Sequence, residues 1–195
     1  AIVLAFIALW AWALSSPMGS SPDDNYHLAS VWCGDGPREG ICDTTAEEKI
    51  LAVPKLVYES PGCFAFHAEN SAACQDLDLA ASGNMISNVS VFNNADRLYP
   101  PLFYAASGLF VTSDPISSLW SIRLFNAAVA VLGYAALFIL LPPKIKHLPI
   151  WAITATAVPL SMFIIPSNNP SSWAVTGSGI VLFSMIGFYL SEGKR

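Results

Sequence analysis

Basic charge is scarce in this chain, and so is charge of any sign. Nine Lys and Arg stand against 14 Asp and Glu, the formal net charge is −5, and charged residues make up 12% of 195. A soluble globular domain carries about twice that charged share. The acidic balance excludes a nucleic-acid binder, which needs a basic patch. The sequence has no Gly-rich phosphate loop, no nucleophile elbow, no HExxH helix and no CxxC pair. Soluble nucleotide chemistry therefore has no support, and neither does a thiolate zinc site. The first apolar run, residues 1–14, lacks the Met and basic n-region of a signal peptide.

What the chain has instead is apolar length. Hydrophobic residues make up 54% of it, and the mean hydropathy is +0.51. Fourteen helical residues cover about 21 Å, short of the roughly 30 Å of a bilayer core. Residues 1–14 are thus expected to be the truncated end of a first transmembrane helix, in a fragment of a longer multi-pass protein. A complete small membrane protein is the alternative. Runs at 119–141, 148–165 and 173–190 are each close to the roughly 20 residues that a spanning helix needs. Pro159 and the Gly177-Ser178-Gly179 triplet are tolerable in such helices when neighbours satisfy the backbone. The expected fold class is an all-α membrane protein. Its polytopic transmembrane helices would be joined by a long disulfide-bonded extracytoplasmic loop, 15–118, after the first helix.

Orientation follows from short loops. Lys144 and Lys146 lie between the second and third spans, and Lys194 and Arg195 follow the last. The positive-inside rule puts both groups in the cytoplasm of a cell-membrane protein, and the 15–118 loop and the 166–172 link outside. The long loop carries 13 acidic residues against Arg38, Lys49, Lys55 and Arg97. It also holds all four cysteines, Cys33, Cys42, Cys63 and Cys74. An even count in one extracytoplasmic segment suggests two disulfides. Sequence order favours Cys33–Cys42 and Cys63–Cys74, with four free thiols as the competing reading.

Within the loop, residues 24–32 read as a short helix behind a Ser-Pro-Asp start. Thr44 with Glu47, or Thr45 with Glu48, fits a capping box for a second helix through Ile50 and Leu51. Residues 82–94 are rich in Ser and Asn and read as irregular. The segment 98–110, with Pro100-Pro101, is too short to span. It reads as an interfacial or re-entrant helix with Tyr99, Phe103 and Tyr104 at headgroup level.

The most informative stretch is Pro22-Asp23-Asp24-Asn25-Tyr26-His27. Two carboxylates and an imidazole would share one face of a short helix. The pair could hold a divalent cation, Mg or Mn, and through it phosphate oxygens. One Asp could instead be a general base on a sugar hydroxyl. The competing structural reading makes Asp23 a helix N-cap, Asp24 a partner of the helix dipole and His27 merely amphipathic. Arg123 lies one turn inside the second span. It could face a cavity and pair with a lipid phosphate, or snorkel to the interface. The Asn168-Asn169-Pro170-Ser171 turn could bind an anion at a helix start, or simply cap that helix. The Asn88-Val89-Ser90 triplet fits a glycosylation acceptor and carries little weight.

Taken in order, the first helix, Pro22-Asp23-Asp24-x-x-His27, the 99–104 Tyr-Pro-Pro-Leu-Phe-Tyr segment and Arg123-Leu-x-Asn126 resemble the N-terminal part of a GT-C type glycosyltransferase. The acidic motif with the later Asn-Pro-Ser turn is similar to an uncharacterised family of predicted bacterial membrane proteins with GT-C features. The cysteine loop, residues 27–33, looks like its actinobacterial members. The resemblance implies a catalytic or metal-binding role for Asp23 or Asp24, with Asp24 standing where that family usually has Glu. It implies a membrane lipid environment and transfer of a sugar from a polyprenyl-phosphate donor to a cell-envelope glycan or lipid acceptor. Asp23, Asp24 and His27 would form the catalytic group, and Arg97, Tyr99, Arg123, Asn168 and Asn169 would bind substrate. The rival expectation is a non-catalytic multi-pass protein whose stapled outer domain binds a partner or assists envelope assembly.

Overall fold

The computed structural model describes residues 2–43, 45, 47, 49–76, 86–90 and 93–192. Its architecture is mostly helical. Helix α1 spans Ile2–Ser15 and α2 spans Asp24–Trp32. Strand β1 (Leu51–Pro54) runs into α3 (Lys55–Glu59) and a 3-10 turn at Ser60–Cys63. Strand β2 (Ile86–Val89) and α4 (Pro101–Gly108) precede the long α5 (Pro115–Leu140). Helices α6 (Leu148–Thr156), α7 (Pro159–Ile164) and α8 (Ser171–Glu192) complete the chain.

Helices α5 and α8 are long and apolar enough to cross a membrane. At 1.5 Å per residue they measure about 39 and 33 Å. Helix α5 starts four residues before the apolar run because Asp114 caps it. The Asp114 carboxylate accepts the Ile116 amide at 3.1 Å and the Ser117 hydroxyl, and Pro115 fills the first turn. Helix α8 leaves Val181, Leu182, Met185, Phe188, Tyr189 and Leu190 exposed, the apolar surface that lipid or further helices cover. Residues 148–165, expected as one span, form two short helices instead. Pro159 drives Val158 to extended geometry (φ −107°, ψ 163°) and α6 ends at Thr156.

The segment between α1 and α5 is not all-α as expected. Strands β1 and β2 pair antiparallel, from Leu51 opposite Val89 to Pro54 opposite Ile86. Leu51, expected in a capped helix, opens β1, while Thr45 donates its hydroxyl to the Glu47 and Ile50 carbonyls. Thr44 and Glu48, the other members of the capping pattern, lie outside the described residues. Ile86–Val89 likewise replaces part of an expected irregular stretch, because Val89 alternates inward and is fully buried. Both expected disulfides are present: Cys33–Cys42 and Cys63–Cys74, 9 and 11 residues apart.

One core joins this segment to α5. Leu28, Val31 and Trp32 of α2 pack with Val53, Val57, Val89, Phe103 and Ile122. Arg38 ties its far side by donating to the carbonyls of Val111, Trp32 and Gly108. Helices α2 and α4 come together end to end at Gly34 and Gly108. A methyl on Gly34 would collide with the Tyr104 carbonyl, and one on Gly108 with the Asp35 amide. Phe103 and Tyr104 are consequently buried in protein, while Tyr99 keeps 38% exposure.

Gly34→Ala is expected to lower unfolding stability by about 3 kcal/mol, because the obstacle is backbone. Gly62→Ala, which meets open space, is expected to stay within about 0.5 kcal/mol. Thermal unfolding of the two purified variants beside the parent chain checks the contrast.

Candidate functional site

The segment after α1 turns back through Ser20 and Ser21 and enters α2 at Asp23, whose backbone is left-handed (φ 60°). Asp tolerates that geometry better than most residues. The Asp23 side chain makes no cap hydrogen bond. Its carbonyl does the capping, accepting the Tyr26 and His27 amides at 3.0 and 3.2 Å. Asp23 is therefore not the side-chain N-cap expected. The left-handed turn also separates the two carboxylates: Asp23 is exposed, whereas Asp24 has no solvent exposure at all.

Asp24 sits where α2, α5 and the turn before α8 meet. The nearest cation is Arg123, 3.9 Å away and itself 2% exposed. Arg123 does not hydrogen-bond the carboxylate. Its guanidinium donates to the carbonyls of Ala13 (2.8 Å), Ser16 (2.5 Å) and Pro17 (2.8 Å). Ala13 lies in the last turn of α1, where carbonyls lack helical partners, and Ser16 and Pro17 belong to the turn that follows it. A buried cation there also meets the negative end of the helix dipole. Arg123 thus neither snorkels nor opens toward a lipid phosphate; it braces α1 against α5.

Burial pushes the Asp24 carboxyl up to about 7 from 3.8. Arg123 and the nearby amides of Ser21 and Asn168 oppose the rise, and the charge of Asp23 adds to it. Neither carboxyl oxygen has a hydrogen-bond partner, and the same holds for both side-chain polar atoms of Asn168, which is wholly buried. Those amides reach the carboxyl electrostatically but miss hydrogen-bond geometry. Four orphaned polar atoms in two adjoining residues are unusual, since each costs about 1–3 kcal/mol when left unmade.

Asn169 is engaged differently. Its side-chain amide donates to the Pro22 carbonyl at 2.7 Å, and its Oδ1 accepts the Ser171 amide at 2.8 Å. It caps α8 and ties that helix to the acidic turn, so the anion-binding reading of this turn gives way to the capping one. Asn126, one turn after Arg123, donates to the Ser167 carbonyl at 2.6 Å and accepts the Trp173 indole N–H at 2.9 Å. Sequence reasoning did not single out Asn126 and Trp173 as site residues. The signal was there: two polar side chains three apart in an otherwise apolar helix.

His27 faces away from Asp24. Its Nδ1 lies 2.8 Å from the Tyr104 hydroxyl, and the Tyr99 ring stands edge-on at 4.8 Å. Burial pulls its pKa down to about 4, against the pull of Asp23. Asn94 holds Tyr99 in place, accepting its amide at 2.9 Å and donating to its carbonyl at 3.0 Å. Arg97, left-handed at φ 54°, is exposed beside this cluster. The structure therefore brings together Asp24, Arg123, Asn168 and Asn169. It sets Asp23, His27, Tyr99 and Arg97 on a separate, outward side. Among the described residues no three His, Cys, Asp or Glu side chains converge. Asp23 and Asp24 occupy different environments, so the pair does not fit a shared divalent cation.

Two spanning-length apolar helices, joined to a disulfide-bearing segment, are what a membrane protein carries. The chain belongs to the family described as "Predicted membrane protein (DUF2142)", whose profile matches residues 6–195. No curated protein and no solved structure matches it significantly.

Arg123→Met is expected to destabilise the fold by about 3–5 kcal/mol, the usual cost of stranding a buried partner. Thermal unfolding of the purified chain in detergent checks this. The same assay tests Asp24. Its raised pKa means the native state keeps a proton that the unfolded chain releases above pH 3.8. Its contribution is thus full below that pH and is lost as pH rises through about 7. Asp24→Asn is expected to remove that fall in stability.

Proposed function

We propose that the protein is a membrane glycosyltransferase, or the N-terminal part of one, that uses a polyprenyl-phosphate-linked sugar donor. Its acceptor is an extracytoplasmic glycan or lipid of the cell envelope. The segment between α1 and α5 faces outward, and Lys144 and Lys146, at the other end of α5, face the cytoplasm. The observation that carries the reading is Asp24: a wholly buried carboxyl that stands 3.9 Å from Arg123 without a hydrogen bond, beside Asn168, whose side chain also makes none. A carboxyl titrating near neutral pH is suited to general-base work.

In the proposed step the acceptor hydroxyl oxygen forms a bond to the anomeric carbon of the sugar. The bond from that carbon to the phosphate oxygen breaks. Asp24 takes the hydroxyl proton, and polyprenyl phosphate leaves with the electron pair. Because Asp24 is sealed, the turn at 167–170 and residues 21–22 must part to admit the acceptor. No step is routed through a metal ion.

That sealing favours a second reading, in which the Asp24–Arg123 contact only fastens the outer segment to the membrane helices and the protein assists envelope assembly without catalysis. Asp24→Asn separates the two. In the transferase reading it cuts sugar transfer by about 10²–10⁴-fold while the chain stays folded. The parent activity climbs as pH rises through about 7, where the base form appears. Asp23→Asn, at an exposed position, has a much smaller effect. Wild-type transfer by a folded Asp24→Asn variant, in membranes supplied with polyprenyl-phosphate sugar, would sink the catalytic reading.

A further inference from the structure

A cavity of about 450 Å³ lies at the α1 terminus, and Asp24 is not among its lining residues. Its size falls within the usual range for small-molecule sites, about 300–1,000 Å³. One wall comes from the apolar helices: Leu14 of α1, and Ile116, Leu119 and Trp120 of α5. The opposite wall is polar. Ser15 and Ser16 end α1, and Gln75 and Asp76 follow the Cys63–Cys74 bridge. Gln75 ties the segment after the second disulfide to the turn after α1, donating its amide to the Met18 carbonyl at 2.8 Å. A Cβ at Gly19 would collide with Pro61, so the second disulfide unit rests directly on the end of α1.

We infer that this cavity binds the hydroxyl-rich, phosphate-free headgroup of a membrane glycolipid. Three features select that occupant. The cavity straddles the boundary between apolar helices and polar loop, so the occupant is amphiphilic. Among the described lining residues no Lys, Arg or His occurs, and Asp76 is the charged side chain. A phosphate there would meet a carboxylate and no cation, whereas vicinal hydroxyls can donate to it. The hydroxyls of Ser15 and Ser16 donate back to the Trp12 carbonyl at 3.0 and 2.7 Å. Their oxygens are thereby presented as acceptors. Trp120, 44% exposed, offers an indole that combines an apolar face with a polar N–H, as residues at membrane interfaces do.

The wall is also stiff. Ser16 and Pro17 line the cavity, and their carbonyls are gripped from behind by Arg123. A preorganised wall lowers the ordering cost of binding. The inference concerns binding alone and does not depend on the transferase reading, so a catalytically silent protein tests it equally well.

The test is native mass spectrometry of the detergent-purified full chain. It is titrated in parallel with monoglucosyl-diacylglycerol, phosphatidylglycerol and phosphatidylethanolamine of the same acyl chains. The expected result is retention of the glucolipid about tenfold or more over both phospholipids, the scale of one hydrogen bond to a charged group. Trp120→Ala and Asp76→Ala each reduce that preference, and both positions are exposed enough to leave the fold intact. Equal or tighter retention of phosphatidylglycerol overturns the inference. So does a preference for phosphatidylethanolamine, which would make Asp76 an amine receptor. A glucolipid preference unmoved by both substitutions overturns the assignment to this cavity. The wild-type comparison stands by itself should a variant fail to fold.

Discussion

The structure turns on the Arg123 guanidinium lodged in the end of α1. A helix that ends in the interior leaves its last carbonyls without helical partners, and burial forbids water from taking them. Arg123 answers one such carbonyl, that of Ala13 in the last turn of α1, together with those of Ser16 and Pro17 in the turn that follows. Because it reaches from α5, the same bonds fix the distance and rotation between the two helices. They also set the course of residues 16–22 and thereby the entry of α2. Everything described around Asp24 inherits its position from that anchorage.

The consequence for Asp24 is electrostatic. Arg123 spends three of its five N–H donors on backbone carbonyls, and its contact with Asp24 stands at 3.9 Å without a hydrogen bond. Attraction at that distance offsets only part of the burial penalty, and the carboxyl titrates near neutrality. Asn168 has both polar atoms orphaned at the same junction. Asn126 and Asn169, in contrast, are fully occupied in linking α5, α8 and the acidic turn. The junction thus divides into fasteners and unpartnered groups, and the unpartnered ones are where chemistry has room to act.

The outward side has a different character. His27 is held neutral by burial, against the pull of Asp23, its Nδ1 meets the Tyr104 hydroxyl, and Tyr99 is clamped by Asn94. Two of the left-handed non-glycine residues, Asp23 and Arg97, flank this aromatic group. Separating Asp23 from Asp24 is the result of the first of these turns, and it removes the shared face that the motif suggested. The cavity beneath the second disulfide adds a third environment, acidic and amphiphilic, that shares only the Ser16–Pro17 wall with the junction.

Local chemistry by itself determined several features. The apolar runs that became α5 and α8, the α2 helix at residues 24–32 and the disulfide pairs all follow from composition and spacing that act within a few residues. Local chemistry misjudged 148–165, where Pro159 ended a helix that no neighbour repaired. It also misjudged residues 51–54 and 86–89, whose pairing lies across more than thirty positions and is invisible to any short window. The burial of Tyr104 was hidden for a related reason, since the Gly34–Gly108 contact behind it is a long-range approach. Asp24 and Arg123 were legible as candidates because charge in an apolar chain is conspicuous. Which carboxylate is buried, what the arginine holds and which asparagine is left without partners were decided only by tertiary structure. Those outcomes depend on carbonyls and amides, which every residue carries and no sequence pattern distinguishes.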